Sequence, residues 1–189
     1  MASKRPALFL DRDGVVNIDH GYVCKPENFD FVTGIFDLVA TANSFGYLVV
    51  IVTNQAGIGR GYYTEDDFHA LTKWMRAQFI SRGARVDAVY FCPDHPEHGL
   101  GAYKRESIFR KPGPGMLLQA AKELGVDLSN SLLVGDKDSD IQAGATAGVG
   151  SLLYFHSEIK HASAQNITNL NEVIELIKSA SKTKFLSVG

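Results

Sequence analysis

Short apolar runs alternate along the chain with longer stretches whose apolar residues recur every three to four positions. Ala7–Leu10, Tyr47–Val52, Val86–Phe91, Ser131–Val134 and Ser151–Phe155 are brief, carry β-branched or aromatic residues and are bounded by Gly, Asp or Pro. That pattern predicts strands buried on both faces. Between them, Thr64-Glu65-Asp66-Asp67 has the spacing of a capping box and opens a helix running to Ser81. Phe68, Leu71, Met75 and Phe79 form its apolar face, with Trp74 packed beside them. Pro114 is placed to open a helix reaching Leu124, and Gly125 to end it. Ile35–Phe45, Asp138–Ala147 and Asn171–Ala180 complete the helices. Strands alternating with helices predict an α/β fold, a doubly wound parallel sheet with helices on both faces, as one domain over residues 1–189.

Such sheets bind ligands beyond the carboxyl ends of their strands, near the point where strand order reverses. Asp11-Arg12-Asp13-Gly14 follows the first predicted strand and Thr53-Asn54-Gln55 the second. Arg110-Lys111-Pro112 lies beyond the third, and Gly135-Asp136-Lys137 follows the fourth. Four segments thus bring acids, a hydroxyl, amides and bases to one rim. Asp11, Asp13 and Asp136 form an oxygen-rich set suited to Mg²⁺, while Thr53 and Lys111 offer donors to an anion. Phosphoryl transfer needs this combination. A phosphate beside a carboxylate nucleophile is repelled by about 4 kcal/mol per charge pair at 4 Å and an effective dielectric of 20, so a cation and an ammonium must be at hand. Asp11 ends a buried strand and is the candidate nucleophile. Asp13, in a turn relaxed by Gly14, is the candidate to protonate the leaving oxygen and then deprotonate water.

Other readings of the same residues weigh less. A D-x-D-G string arises by chance, and loop acids are commonly just solvated. An EF-hand counted from Asp136 fails because Ile141 stands where Gly is required and Ala147 where Glu is required. Asp138 suits a helix N-terminus rather than a metal. Gly57-Ile58-Gly59-Arg60-Gly61 does not match the dinucleotide fingerprint, and neither G-x-x-x-x-G-K-[ST] nor G-x-S-x-G occurs.

Composition narrows the partners. The 189 residues carry 19 Lys and Arg against 21 Asp and Glu, a net charge of -2, so no nucleic-acid partner is expected. Apolar residues make up 45%, which suits a globular core. Neither a membrane span nor a signal peptide is expected. Only Cys24 and Cys92 are present, which fits a reducing cytoplasm, and a monomer is expected.

The four segments, in this order and spacing, resemble the haloacid dehalogenase superfamily of phosphohydrolases. Within it, Asp19-His20-Gly21-Tyr22-Val23, the run TNQAGIGRG from Thr53 to Gly61, and RKPGPGML from Arg110 to Leu117 are most similar to the heptose-bisphosphatase branch. The resemblance implies a Rossmann-like sheet and Mg²⁺-dependent release of the C7 phosphate of a heptose 1,7-bisphosphate, in the supply of activated heptose for lipopolysaccharide. It implies an aspartyl-phosphate on Asp11, acid–base work by Asp13, phosphoryl contacts from Thr53, and charge neutralisation by Lys111. The Mg²⁺ ligands implied are Asp11, Asp13 through its backbone carbonyl, and Asp136. Substrate contacts are implied for Asn54, Gln55, Arg60, Arg110, Lys137, Asp19 and Tyr22. Arg60, Arg110 and Lys137 supply more positive charge than one phosphate needs, so a second acidic group on the substrate is expected. A histidinol-phosphate or other small-phosphate phosphatase of the same superfamily, a polynucleotide 3′-phosphatase and a phospho-accepting signalling domain are the alternatives. The intervals between motifs leave no room for a large cap domain. The loops Val15–Phe31, Gln55–Tyr63 and Cys92–Phe109 are then expected to set specificity. Members of the branch often bind a loop zinc through C-x-H and C-x-C pairs. Here those positions read Cys92-Pro93-Asp94 and Ser107-Ile108-Phe109. Cys92, His95 and His98 lack a fourth partner, and no zinc is expected.

Overall fold

The computed structural model describes residues 4–156 and 158–186. Six strands form one sheet: β1 (Ala7–Leu10), β2 (Leu48–Asn54), β3 (Ala88–Cys92), β4 (Leu132–Gly135), β5 (Ser151–Phe155) and β6 (Gln165–Ile167). Their order is β3-β2-β1-β4-β5-β6, and every pairing is parallel. The helices are α1 (Ile35–Ser44), α2 (Ala56–Gly59), α3 (Glu65–Ile80), α4 (Gly115–Leu124), α5 (Asp138–Ala147) and α6 (Asn171–Leu186). Among the described residues, no helix is long and apolar enough to cross a membrane.

Alternation along each strand splits the core into two layers. Leu8, Leu10, Val49 and Ile51 join Leu38 of α1, Phe79 of α3 and Ile177 of α6 on one face. Ala7, Phe9, Val50 and Val52 join Met116 and Ala120 of α4 and Ile141 of α5 on the other. All four residues of β1 are buried because both faces are covered, which is why this strand reads as an unbroken apolar run. The order reverses at β1, where β2 lies on one side and β4 on the other. The crevice beyond their carboxyl ends is therefore the switch point, and Asp11 and Asp136 emerge there.

Several local expectations stand in the structure. Thr64 and Asp67 make the reciprocal capping box at the start of α3. Pro114 caps α4, and Gly125 ends it in the left-handed conformation at φ 66°. Other boundaries shift. β2 runs through Thr53 and Asn54, which pair with Phe91 and Cys92, because backbone pairing continues past the point where side chains turn polar. β6 was not anticipated: of its three residues only Ile167 is buried, too short a signal for alternation. α2 is a four-residue turn containing two glycines and has no helical sequence pattern.

Phe79 is fully buried and meets the Phe31 and Phe36 rings at 5.7 and 5.0 Å. It lies in the layer away from the rim residues of α5. Phe79→Ala is expected to cost about 3–5 kcal/mol in urea unfolding, with per-molecule turnover of the folded protein retained.

Candidate active site

Lys111 is the hub of the rim. Its side chain is only 3% exposed, and its ammonium lies 2.8 Å from Asp11 Oδ1, 2.6 Å from Asp140 Oδ1 and 2.9 Å from the carbonyl of Val52. Three acceptors match its three donors. Burial alone would lower the Lys111 pKa, but the two carboxylates outweigh it and hold the group charged, above the ordinary lysine value. Burial pushes the Asp11 carboxyl up, and Lys111 offsets part of that. Asp11 Oδ1 also accepts the Arg12 backbone N–H at 2.8 Å. The Lys111 backbone is fixed reciprocally by Asn54, whose amide donates to the Lys111 carbonyl and accepts from its N–H, both at 3.0 Å.

Asp13 stands two residues after Asp11 within a second network. Its carboxylate accepts from the Arg12 guanidinium at 2.9 Å, from Asn17 at 3.1 Å and from Gln55 at 3.1 Å. Arg12 is itself buried, donates to the Val23 carbonyl at 2.7 Å, and lies 6.0 and 5.8 Å from the Phe29 and Phe68 ring centres. Gln55 also donates to Thr53 Oγ1 at 2.8 Å and accepts the Tyr63 hydroxyl. The side chains of Asn54 and Gln55 are thus committed to holding Lys111, Thr53 and Asp13.

Asp11, Asp136 and Asp140 bring carboxylate oxygens within 4.8 Å of one another, and among the described residues no other trio of His, Cys, Asp or Glu does so. Burial, and then the charge of Asp11, push Asp136 up to about 7. Its buried Oδ1 has no hydrogen-bond partner. Asp140 is already engaged, by Lys111 and by the Lys137 backbone N–H at 3.0 Å. Three carboxylates against one buried ammonium leave excess negative charge, and the orphaned Asp136 oxygen faces it. That donor set, all hard oxygen, fits a divalent cation such as Mg²⁺ held by Asp11 and Asp136. Gly14 makes the approach possible. It sits at φ 104°, and a Cβ there would lie 2.2 Å from Asp136 Oδ2.

A cavity of about 380 Å³ opens over Asp11 and Asp140 of this cluster. Asp11, Asp13, Thr53, Asn54, Gln55 and Lys111 form its floor, while Asp19, Tyr22, Arg110 and Lys137 stand around it. Lys137 reaches Asp19 at 3.2 Å and Asp136 at 3.9 Å. Burial opposes its charge, but Asp136, Asp11 and Asp19 raise its pKa. Burial likewise opposes the charge on Asp19, yet the Gly21 N–H and Lys137 pull its pKa down. Tyr22 has φ 52°, unusual for a non-glycine residue, and packs edge-on against Tyr62 with ring centres 4.7 Å apart. Arg60 does not line the cavity, and its buried Nε has no partner. In the loop beyond β3, His95 Nδ1 accepts the N–H groups of Glu97 and His98 rather than joining Cys92 in a ligand cluster.

Sequence reasoning did not single out Asp140, Arg12, Asn17 or Tyr63. Asp140 carried a usable signal, since it follows Asp136 by four residues at the opening of α5. Arg12, lying between two acids at a strand end, carried a weaker one.

The geometry has close counterparts among known proteins. A family model described as HAD-hyrolase-like matches residues 108–178. The D-glycero-alpha-D-manno-heptose-1,7-bisphosphate 7-phosphatase of Burkholderia mallei is 56% identical over 92% of this chain and 94% of its own. The D-glycero-beta-D-manno-heptose-1,7-bisphosphate 7-phosphatase of Vibrio cholerae is 50% identical over 78% of this chain and 79% of its own. The crystal structure of D,D-heptose 1,7-bisphosphate phosphatase from B. bronchiseptica, complexed with magnesium and phosphate, superposes with a TM-score of 0.80. It is 28% identical and covers 93% of this chain and 99% of that one. With its motif residues gathered at the switch point of an all-parallel sheet and relatives this similar across nearly its whole length, the chain belongs to the haloacid dehalogenase superfamily of hydrolases, within its heptose-bisphosphate phosphatase family.

Proposed function

We propose that this chain is a phosphate-monoester hydrolase that removes the C7 phosphate of D-glycero-D-manno-heptose 1,7-bisphosphate, with residues 1–189 acting as one catalytic domain. The observation that carries the chemical part is the Lys111 clamp. It holds Asp11 Oδ1 and leaves the second oxygen directed at a cavity with an unsatisfied carboxylate beside it. The heptose comes from the names of the relatives, and the cationic rim of Arg110 and Lys137 suits a substrate with a second phosphate.

In this reading Asp11 attacks phosphorus, and the bond from phosphorus to the C7 oxygen breaks. Asp13 exchanges its bonds to Asn17 and Gln55 for the departing oxygen and donates a proton to it. Water then attacks the aspartyl-phosphate while Asp13 takes its proton, releasing phosphate and restoring Asp11. Thr53 Oγ1 holds a transferring oxygen, while Lys111, its donors already engaged, keeps the carboxylate and phosphate from repelling each other. Mg²⁺, held by Asp11 and Asp136 with the Asp13 carbonyl, would screen the charge that builds up on the phosphoryl oxygens. Asp140 holds Lys111 in place. Asp19 and Tyr22 contact the sugar, and Arg110 and Lys137 its distal phosphate. Arg60 lies outside the cavity, and we assign it no direct contact. The two cysteines are unpaired, which supports a cytoplasmic enzyme. We take it to be a monomer serving the supply of activated heptose.

Three outcomes are expected. Asp11→Asn is expected to lower kcat by about 10⁴-fold or more, measured as phosphate release from the bisphosphate; near-wild-type turnover would remove the nucleophile assignment. Asp136→Asn is expected to weaken Mg²⁺ activation at least about tenfold, read from titration of chelator-treated protein, and an unchanged midpoint would contradict the metal assignment. In a kcat/KM comparison, one anomer or the other of the heptose bisphosphate is expected to exceed histidinol phosphate and fructose 1,6-bisphosphate by about 10²-fold or more. Equal or reversed values would favour the small-phosphate alternative.

A further inference from the structure

The segment between β3 and α4 is long, yet it gives the cavity nothing directly until Arg110. Its course is nevertheless closely tied. Leu100 N–H donates to the Gly59 carbonyl at 2.7 Å and the Tyr103 hydroxyl to Glu65 at 2.8 Å, which fastens the outer arm to α2 and α3. At the other end Arg110 N–H donates to the Ser107 carbonyl at 3.1 Å, and Gly115 N–H to Ile108 at 2.8 Å. Between Tyr103 and Ser107 the tie is an ion pair, with Arg105 Nε lying 3.0 Å from Asp94 Oδ1.

The pair is lopsided. The Asp94 side chain is 4% exposed and that of Arg105 is 65% exposed, so a surface guanidinium reaches inward to neutralise a buried carboxylate. Asp94 also bears on the site through its backbone, because its carbonyl accepts Arg110 NH1 at 3.3 Å. A buried carboxylate stripped of its partner is costly, and the least costly relief is for the residue to turn toward water. Turning residue 94 moves the carbonyl on which Arg110 rests.

We propose that the Asp94–Arg105 ion pair is a clasp that positions Arg110 for the distal phosphate of the substrate. Asp94 and Arg105 are positioning residues and touch no substrate themselves. The loop is thereby shaped by two residues of the chain, at a place where Cys92, Asp94 and Ser107 provide no set of soft metal ligands. The proposal rests on the reading of Arg110 as the contact for a second phosphate.

The test compares Arg105→Ala and Arg105→Lys on two substrates, the heptose bisphosphate and p-nitrophenyl phosphate, which has one phosphate only. Arg105→Ala is expected to raise KM for the bisphosphate about tenfold, with kcat within about twofold and p-nitrophenyl phosphate hydrolysis unchanged. Arg105→Lys keeps the charge and is expected to restore KM to within about threefold of wild type. An unchanged KM, or an equal loss on both substrates that lysine does not rescue, would overturn the clasp. Should Arg105→Ala fail to fold, the double variant Asp94→Asn/Arg105→Ala removes the buried charge with its partner. With the tie between residues 94 and 105 gone but no charge left to drive residue 94 outward, it is expected to raise KM by about threefold or more, and a wild-type KM there overturns the proposal. Amide hydrogen exchange over residues 99–105 separates this idea from the functional reading. Exchange about tenfold faster in Arg105→Ala, and wild-type-like in Arg105→Lys, supports the clasp even if the wild-type enzyme proves inactive on heptose bisphosphate, whereas unchanged exchange sinks it.

Discussion

A single buried ammonium organises this protein's chemistry. Lys111 comes from the start of the α4 segment, Asp11 from the end of β1, Asp140 from α5, and the Val52 carbonyl from β2, so one group ties four elements of the fold. None of the three charges would be stable alone at this depth, because each would lose its hydration without compensation. Together they offset much of one another's charge. They also leave Asp11 with one oxygen held and one available, which is what a nucleophile needs. The doubly wound topology makes the meeting possible, since β1 is flanked by β2 and β4 and strand ends distant in sequence converge at the reversal.

The same geometry divides the site into a rigid floor and an adaptable rim. The floor side chains are mostly occupied in holding each other: Asn54 on the Lys111 backbone, and Gln55 between Thr53, Asp13 and Tyr63. Such mutual hydrogen bonding fixes the positions of Lys111, Thr53 and Asp13 before any ligand arrives. The rim is built from loops, where Asp19 and Lys137 form a half-exposed pair and Tyr22 accepts an unusual backbone conformation beside Tyr62. In the proposed reading substrate choice belongs to this rim, whose side chains do not take part in the Lys111 hub.

Much of this was legible in the chain because depth and direction leave a mark on composition. β1 is apolar at every position since it is covered on both faces, and the acid that ends it is conspicuous for that reason. The capping box of α3 and the Gly125 stop of α4 were readable from local chemistry alone. What stayed hidden was decided by contacts across the sequence. Asp140 looks like an ordinary acid in the first turn of a helix, and only the arrival of Lys111 from elsewhere makes it part of the hub. Arg12 reads as a solvated loop cation until Phe29 and Phe68 close over it. Asn54 and Gln55, expected as substrate contacts, line the cavity, but that their side chains also hold Lys111, Thr53 and Asp13 depends on partners that no local pattern shows. β6 escaped because three residues with one buried position carry too little periodicity.

In the proposed reaction Asp11, of the clustered carboxylates, is the one that receives the phosphoryl group. Acid quenching of the enzyme during turnover of heptose bisphosphate, followed by peptide mass spectrometry, tests it most directly. A phosphoryl adduct on the peptide containing Asp11 is expected. An adduct on the peptide carrying Asp136 and Asp140, with the Asp11 peptide unmodified throughout turnover, would contradict it.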